Sequence, residues 1–411
     1  MTTRAPRPAA IALATATVLA MSACGGGGFD EGSDPTDQAS GPAELTILIG
    51  SSGPAETDAV TAAAQAWSEE SGNTATVTAA QDLPQQLSQG FAAGSPPDVF
   101  YVSSDTVASY AENGSLEPYA GDLSNVDDFY PNLREAFTVD DQFYCAPKDF
   151  STLSLIINTD SWATAGLTDE DIPTSWDELS AVAEQLTTPD QVGLTTSTEY
   201  QRLGAFMAQA GGGLVTDGTA TADSSENVEA LEYVQSVVEV GAWSFAADLD
   251  SGWAGEAFGN ARAAMTIEGN WMIGAMSADY PDINYQVVPL PEGPAGAGTL
   301  TFTNCWGIAA QSDNIEAAKD LVEFLTSSEQ QLEFASAFGV MPSVESAADQ
   351  WRADNPDFVA FLDQADVAVA VPNQVGVSDV VADLNAQLEG LSSGDPQAIL
   401  DSAQSNLEAI L

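Results

Sequence analysis

The sequence predicts an α/β fold with mostly parallel sheets, divided into two domains. Short apolar runs that end in glycine, serine or aspartate are followed by stretches with helical periodicity, and this alternation is typical of α/β architecture. The chain of 411 residues is too long for one ordinary core, even without its first 23 residues, so two domains are expected.

The first elements follow this alternation closely. Residues 45–49 form an apolar run that ends in a Gly-Ser-Ser-Gly-Pro turn, and a helix-like stretch follows over residues 56–71. Residues 98–102 repeat the arrangement before a helix that should stop at Asn113-Gly114, a good C-terminal capping pair. Both units predict a strand, a turn and a helix.

The later elements are predicted in the same way. Residues 153–157 read as a strand, and Ser175-Trp-Asp-Glu178 has the spacing of a capping box that opens a helix through Leu186. The remaining predicted elements are a helix over 228–241, strands over 283–290 and 301–310, and a helix over 315–325.

The N-terminus predicts export. Arg4 and Arg7 form a short basic segment, and residues 9–20 are apolar but too few to cross a bilayer comfortably. The small residues before Cys24 resemble a bacterial lipobox, with Met21 where leucine is usual. We therefore expect a lipid on Cys24; a plain secretory signal is the alternative.

Two N-terminal segments precede the folded body on this interpretation. Residues 1–23 are predicted to be a lipoprotein signal peptide that is removed. Residues 24–42 are rich in glycine, serine and acid, cannot bury enough apolar surface to fold, and are predicted to be a disordered tether.

The charge of the chain excludes several classes of function. Eight basic residues stand against 61 acidic ones, a net charge of −53, and nucleic-acid partners are excluded because phosphate binding depends on Lys and Arg. The chain has no histidine, so His-based metal sites and Ser/His or Cys/His pairs are impossible, and no cofactor or metal is expected. The scattered acids predict a solvated acidic surface, with a polycation-binding surface as the alternative.

The three cysteines of the chain are expected to have two different roles. With Cys24 assigned to the lipid, Cys145 and Cys305 remain. In an oxidising compartment an even remainder favours one disulfide, with two free buried thiols as the alternative.

Several segments together carry a resemblance. They are Pro97-Asp-Val-Phe with Tyr110-Ala-Glu-Asn-Gly-Ser-Leu116, Pro147-Lys-Asp-Phe-Ser-Thr-Leu153 running to Asn158-Thr-Asp160, Pro173-Thr-Ser-Trp-Asp-Glu-Leu179, Ala263-Ala-Met-Thr-Ile-Glu-Gly-Asn-Trp271, and Trp306-Gly-Ile-Ala309. In this order, from about residue 45 to the C-terminus, the chain resembles family 1 of the extracellular solute-binding proteins. These are the sugar receptors of ABC importers, among them the maltodextrin-binding protein.

The resemblance implies a fold of two α/β lobes joined by crossing strands, with a sugar held in the cleft between them. One lobe would comprise residues 43–148 and 306–342, and the other residues 149–304 and 343–411. Cys145 and Cys305 would then lie on neighbouring crossing strands, where a hinge disulfide needs Cα atoms about 5.5 Å apart.

The resemblance also implies which side chains meet the sugar. Trp271 follows the glycine turn at which the family places an indole that stacks on a sugar face; a packing role is the alternative. Asp105 would accept hydroxyl hydrogen bonds, with helix capping as its alternative. The further candidates, each with a capping, surface-pairing or core alternative, are Ser52, Lys148, Asp149, Tyr200 and Trp253.

The implied function is capture without chemistry. A monomeric, lipid-anchored protein on the extracellular face of the cell membrane would bind a sugar or oligosaccharide and offer it to an ABC permease. Val102 and residues 372–378 lack aromatics that the maltodextrin receptor has, which suggests a shorter or different sugar. The rival hypotheses are a receptor of the same fold for a polyamine or other cation, and a secreted glycan hydrolase.

Overall fold

The computed structural model describes residues 41–411. The predicted signal peptide, Cys24 and nearly all of the predicted tether lie outside the described residues. Among residues 41–411, no helix combines the length and the apolar character that crossing a bilayer requires.

The described chain alternates strands and helices along most of its length. The strands are β1 (Glu44–Ile49), β2 (Thr74–Ala79), β3 (Val99–Ser103), β4 (Thr138–Val139), β5 (Gln142–Phe143), β6 (Ala146–Asn158), β7 (Val192–Thr196), β8 (Val215–Thr216), β9 (Thr219–Ala220), β10 (Trp243–Phe245), β11 (Ala263–Gly269), β12 (Tyr285–Val288), β13 (Thr299–Ile308) and β14 (Ala368–Ala370). The helices are α1 (Pro54–Ser71), α2 (Leu83–Ala93), α3 (Val107–Glu112), α4 (Pro131–Ala136), α5 (Thr159–Thr164), α6 (Trp176–Leu186), α7 (Tyr200–Ala210), α8 (Ser225–Glu239), α9 (Ala254–Gly259), α10 (Met272–Asp279), α11 (Ile315–Leu325), α12 (Ser328–Phe338), α13 (Ala348–Asp354), α14 (Val359–Leu362), α15 (Val377–Leu388) and α16 (Pro396–Glu408).

One ten-stranded sheet runs through the molecule. Its strand order is β10-β7-β11-β6-β13-β3-β1-β2, with β12 also paired to β6 and β14 also paired to β13. The two ends of the sheet are parallel, but β6 is antiparallel to β11, β12 and β13, and β13 is antiparallel to β3. The α/β class is confirmed, whereas the expectation of mostly parallel pairing is wrong at the centre, because two long strands there run in opposite directions.

The long strands β6 and β13 connect two separate hydrophobic cores. The first core contains Leu153 of β6 and Leu300 of β13 together with the strands β7, β10 and β11. The second contains Ala146 of β6 and Trp306 of β13 together with β1 and β3. Each long strand therefore begins in one core and ends in the other, as expected for crossing strands.

The predicted disulfide is confirmed. Cys145 stands immediately before β6 and Cys305 lies in β13, whose register pairs it with Pro147. The Cα atoms of the two cysteines are 5.6 Å apart, close to the spacing expected from paired strands. Both cysteines are fully buried in the second core.

The predicted capping box at α6 forms only in part. Ser175 Oγ accepts a hydrogen bond from the backbone N–H of Glu178, as expected for an N-cap residue. The Glu178 carboxylate, however, accepts from the N–H and hydroxyl of Thr174 rather than from the N–H of Ser175. Thr174 offers two donors, its backbone N–H and its hydroxyl, whereas Ser175 would offer only its N–H. The carboxylate is therefore better satisfied by Thr174.

Candidate functional site

The main candidate site is a cavity of about 420 Å³ above the middle of the two long strands. The middle of each strand lies between the two cores, and residues from this part of both strands line the cavity. The described residues that line the cavity are Ser103, Ser104, Asp105, Asp149, Ser151, Gln201, Thr301, Phe302, Thr303, Asn304, Val371, Ser378, Val381, Ala382 and Asn385. Carboxylates, hydroxyls and amides therefore share the lining with the apolar side chains of Phe302, Val371 and Val381.

A β-bulge shapes the floor of this cavity. Asn304 pairs with Asp149, but the next residue, Cys305, pairs with Pro147, so Lys148 is an extra residue in β6. Proline cannot donate to a ladder and is tolerated at such irregularities, and bulges redirect side chains. The carbonyl of Lys148, which the bulge frees from the ladder, accepts a hydrogen bond of 2.8 Å from the side-chain amide of Gln331.

The Lys148 ammonium joins two buried carboxylates. It pairs with the adjacent Asp149 and lies 3.0 Å from Glu56 Oε1, and all three residues are almost fully buried. The Tyr101 hydroxyl donates to the same Glu56 oxygen at 3.0 Å, and the ammonium lies 4.7 Å from the Tyr101 ring centroid. Burial lowers the pKa of Lys148, but the charges of Asp149 and Glu56 outweigh this and hold the pKa above its usual value.

The two carboxylates titrate differently because their donors differ. Burial raises the pKa of Glu56, but the charge of Lys148 and two hydrogen bonds from Ser52 outweigh it, so that pKa lies below its usual value. Among the described residues, the Asp149 carboxylate accepts a hydrogen bond from Lys148 alone, and burial holds the pKa of Asp149 above its usual value. Asp149 is therefore the member of the cluster that takes up a proton first.

Asp105 lines the cavity and takes no part in capping. Helix α3 begins after Thr106, which is its N-cap residue, so the capping role that is the alternative for Asp105 is not observed. Within residues 41–411, no hydrogen bond engages the Asp105 carboxylate. It is partly exposed and remains free to accept hydrogen bonds from a ligand.

Trp271 stands beside the cavity rather than in its lining. Its indole is 38% exposed, and its ring meets the Phe302 ring edge-on with 5.2 Å between centroids. A Cβ atom on Gly269 would lie only 2.2 Å from the indole, so glycine is what allows the ring to rest against the end of β11. The indole N–H is already used, since it donates to Glu268 Oε2 at 3.0 Å.

Three other predicted site residues lie further from the cavity. The Ser52 hydroxyl donates to Glu56 and so stabilises the carboxylate that pairs with Lys148. Tyr200 is buried in the first core, where its ring packs beside Gly204, and burial raises its pKa. Trp253 is half-buried against a third hydrophobic cluster.

Several lining residues were not identified from the sequence. The β13 segment 301–304 contributes two threonines, an asparagine and Phe302, and polar residues inside an otherwise buried strand are the signal that marks them. No sequence pattern indicates Asn385 either. Its side chain accepts a hydrogen bond from the N–H of Tyr200 and donates one to Gln201, which joins α15 to the start of α7. These groups suit a ligand with many hydroxyls and one apolar face.

Most of the chain is similar to known binding proteins. Residues 62–360 match the family model described as bacterial extracellular solute-binding protein. The maltotriose-binding protein of Pyrococcus abyssi is 24% identical over 347 residues, which cover 80% of this chain and 72% of that protein.

Solved structures are similar to this chain over most of its length. The cyclic α-maltosyl-1,6-maltose binding protein from Arthrobacter globiformis has a TM-score of 0.80 at 22% identity, covering 90% of this chain and 99% of that one. The sugar-binding protein MalE from Xanthomonas citri has a TM-score of 0.79 at 20% identity, covering 90% and 97%. These likenesses show the two-lobe α/β fold expected from the sequence.

Proposed function

Because the chain belongs to the bacterial extracellular solute-binding proteins, we propose that it captures a short saccharide between two lobes and delivers it to an ABC permease. The single observation that carries this proposal is the cavity over the crossing strands. Asp105 and Asp149 offer carboxylate acceptors, a series of hydroxyls and amides surrounds them, and Phe302 with Trp271 adds an aromatic corner. Sugars need this combination, since their rings pair polar rims with apolar C–H faces.

The proposed lobes comprise residues 43–148 with 306–342, and residues 149–304 with 343–411. The two large cores support this division. All members of the first core lie in residues 149–304 and 343–411, and nearly all members of the second core lie in residues 43–148 and 306–342. A third cluster combines residues from both parts, among them Leu133 and Phe361. A ligand that contacts both lobes favours the closed state by its differential affinity.

The proposed ligand is short. A volume of about 420 Å³ lies in the lower part of the usual range for ligand pockets, roughly 300–1,000 Å³. Val102, where the maltodextrin receptor has an aromatic platform, is buried in the second core, and the segment around Ser378 contributes no aromatic ring. The relatives named above bind maltotriose or a cyclic maltosyl-maltose, which makes α-linked glucosides the first ligands to test.

The proposed role is binding without catalysis, at the extracellular face of the cell membrane, with a lipid on Cys24 as the attachment and the protein acting as a monomer. The family match supports an extracellular binding protein. A panel of mono-, di- and trisaccharides, with spermidine as the cationic competitor, tests the proposal by tryptophan fluorescence and thermal shift. Binding of one neutral saccharide without release of new reducing ends is expected. Binding of spermidine alone, or hydrolysis, would contradict it.

Trp271→Ala gives the first residue-level test. We expect affinity for the saccharide found in the panel to fall about tenfold, because the ring that covers the sugar face is lost, while the melting temperature changes little at this exposed position. Trp271→Phe keeps an aromatic ring and should retain part of the affinity. An alanine variant with the affinity of the original chain would remove Trp271 from the site.

A further inference from the structure

Beneath the Trp271 ring lies a buried ion pair that the proposed function does not use. Glu268, near the end of β11, is fully buried, and its Oε2 lies 2.8 Å from a terminal nitrogen of Arg202 in the first turn of α7. The same oxygen accepts the indole N–H of Trp271. The Arg202 guanidinium carbon also lies 5.0 Å from the centroid of the Trp271 ring. One oxygen of the Glu268 carboxylate thus binds both the indole N–H and the guanidinium that lies against the indole ring.

This pair is poorly explained by stability alone. Burying two charges costs solvation that their attraction repays only when the remaining polar atoms are also satisfied. Within the described chain, Glu268 Oε1 and Arg202 Nε are buried without a hydrogen-bond partner. A buried pair with unsatisfied polar atoms is a costly way to hold two elements together. Both of its members, however, contact the exposed Trp271 ring beside the cavity.

The position of the pair connects it with the cavity. Gln201, the residue before Arg202, lines the cavity, and Phe302, which lines it too, touches the Trp271 ring. Because the indole N–H is bound by Glu268, a ligand must use the ring itself. Because Arg202 covers part of that ring, the ligand must use the remainder.

We propose that Glu268 is a positioning residue for ligand binding, whose carboxylate holds the Trp271 indole and the Arg202 guanidinium as one unit and so fixes the angle at which the ring meets a sugar. This inference rests on the proposed function for its ligand, but the ring geometry itself is a property of the free protein. Arg202 thereby restricts stacking to the part of the indole that it leaves uncovered.

The experiment compares Glu268→Gln, Arg202→Gln and their double variant, with Arg262→Gln as the matched control. Arg262 is exposed and directly precedes β11. The emission of Trp271 in the ligand-free protein is isolated by subtracting the spectrum of the Trp271→Phe chain, and its acrylamide quenching is measured. Affinity for the saccharide selected in the panel is measured in parallel.

In both single variants we expect red-shifted, more strongly quenched Trp271 emission and an affinity that is fivefold to tenfold lower. The double variant should bind no worse than the weaker single variant, because the groups act as one unit. Arg202→Lys, which keeps the charge but loses the planar fork, should be intermediate. The control should match the original chain.

Two outcomes distinguish a failure of the positioning role from a failure of the proposed function. A Glu268→Gln variant that melts at a lower temperature but keeps the original Trp271 emission and affinity would overturn the proposal, leaving a purely structural pair. If the original chain binds no saccharide, the proposed function fails, and the emission measurement alone decides: a shift supports the positioning role, and unchanged emission overturns it.

Discussion

Gly269 is the residue at which backbone and ring approach most closely beside the candidate site. Gly269 is absent from the residues with positive φ, so its backbone conformation suits any amino acid. The nearest obstacle to a side chain is the Trp271 ring, which lies 2.2 Å from the point where a β-carbon would stand. Glycine two residues before the tryptophan is therefore a steric requirement of the indole.

We predict that Gly269→Ala displaces the Trp271 ring and weakens saccharide binding about tenfold, roughly 1.4 kcal/mol, with the fold retained. Titration followed by tryptophan fluorescence measures the effect. Gly274→Ala is the matched control, because a Cβ there meets nothing within 4 Å and alanine favours helix α10. Equal affinities of the two variants would show that the ring position is irrelevant to binding.

We predict that Asp149 makes ligand binding dependent on pH. Burial holds its pKa above the ordinary value of 3.8, so this carboxylate gains a proton earlier on acidification than an exposed aspartate does. The protonated form has lost acceptor capacity for sugar hydroxyls. We therefore expect affinity to be constant near neutral pH and to fall as the pH decreases through the raised pKa of Asp149.

Isothermal titration of the selected saccharide between neutral and mildly acidic pH tests this dependence. Asp149→Asn should bind more weakly at neutral pH and should flatten the profile, since the amide does not titrate in this range. A profile that stays as steep in the asparagine variant would assign the titration to another group.

At the scale of elements, β6 and β13 determine where the site forms. Both strands begin in one core and end in the other, so their middle residues remain available to a ligand. The disulfide between Cys145 and Cys305 joins these strands across a sequence separation of 160 residues. Closing such a long loop removes much entropy from the unfolded chain.

We predict that replacing both cysteines by serine lowers the free energy of unfolding by about 3–5 kcal/mol, chiefly through the unfolded state. Urea unfolding of the two chains, with equal slopes against denaturant, measures the difference. Saccharide affinity should change little, because both cysteines lie in the second core and outside the cavity lining. A loss of less than about 1 kcal/mol would contradict the entropic argument.

Local sequence signals predict the elements, but they do not show which distant segments meet at the cavity. β1, β3 and α6 were identified because apolar runs, turn residues and a serine cap are local signals. β2 was missed, since most of its residues are small or polar and partly exposed. Asp105 and Asp149 are predicted ligand contacts that line the cavity, whereas Phe302 and Asn385 line it because the fold brings β13 and α15 to the same place, and no local pattern records that arrangement.

At the scale of the whole molecule, charge is the dominant feature. With a net charge of −53, the chain repels itself in the compact state more strongly than in an expanded one. Salt screens this repulsion, with a Debye length of about 10 Å at 0.1 M. The few described cations do not offset it, and the two most buried, Lys148 and Arg202, are committed to carboxylates beside the cavity.

We predict that the melting temperature rises steadily as sodium chloride is increased from about 10 mM to 1 M, because screening relieves the repulsion of the folded state. Differential scanning calorimetry measures the effect, and sucrose at matched osmolality controls for preferential exclusion. A melting temperature that is independent of salt would mean that the acids are spaced widely enough to act independently.

The pairing of Cys145 with Cys305 has a practical consequence for optical sensing. A chain produced from Gly41 onwards contains no other cysteine, so a thiol introduced by substitution would be the single target for a maleimide dye. Ser378→Cys would place that dye on α15 at the rim of the cavity. The protein is therefore suited to conversion into a reagentless fluorescent biosensor for whichever solute it binds.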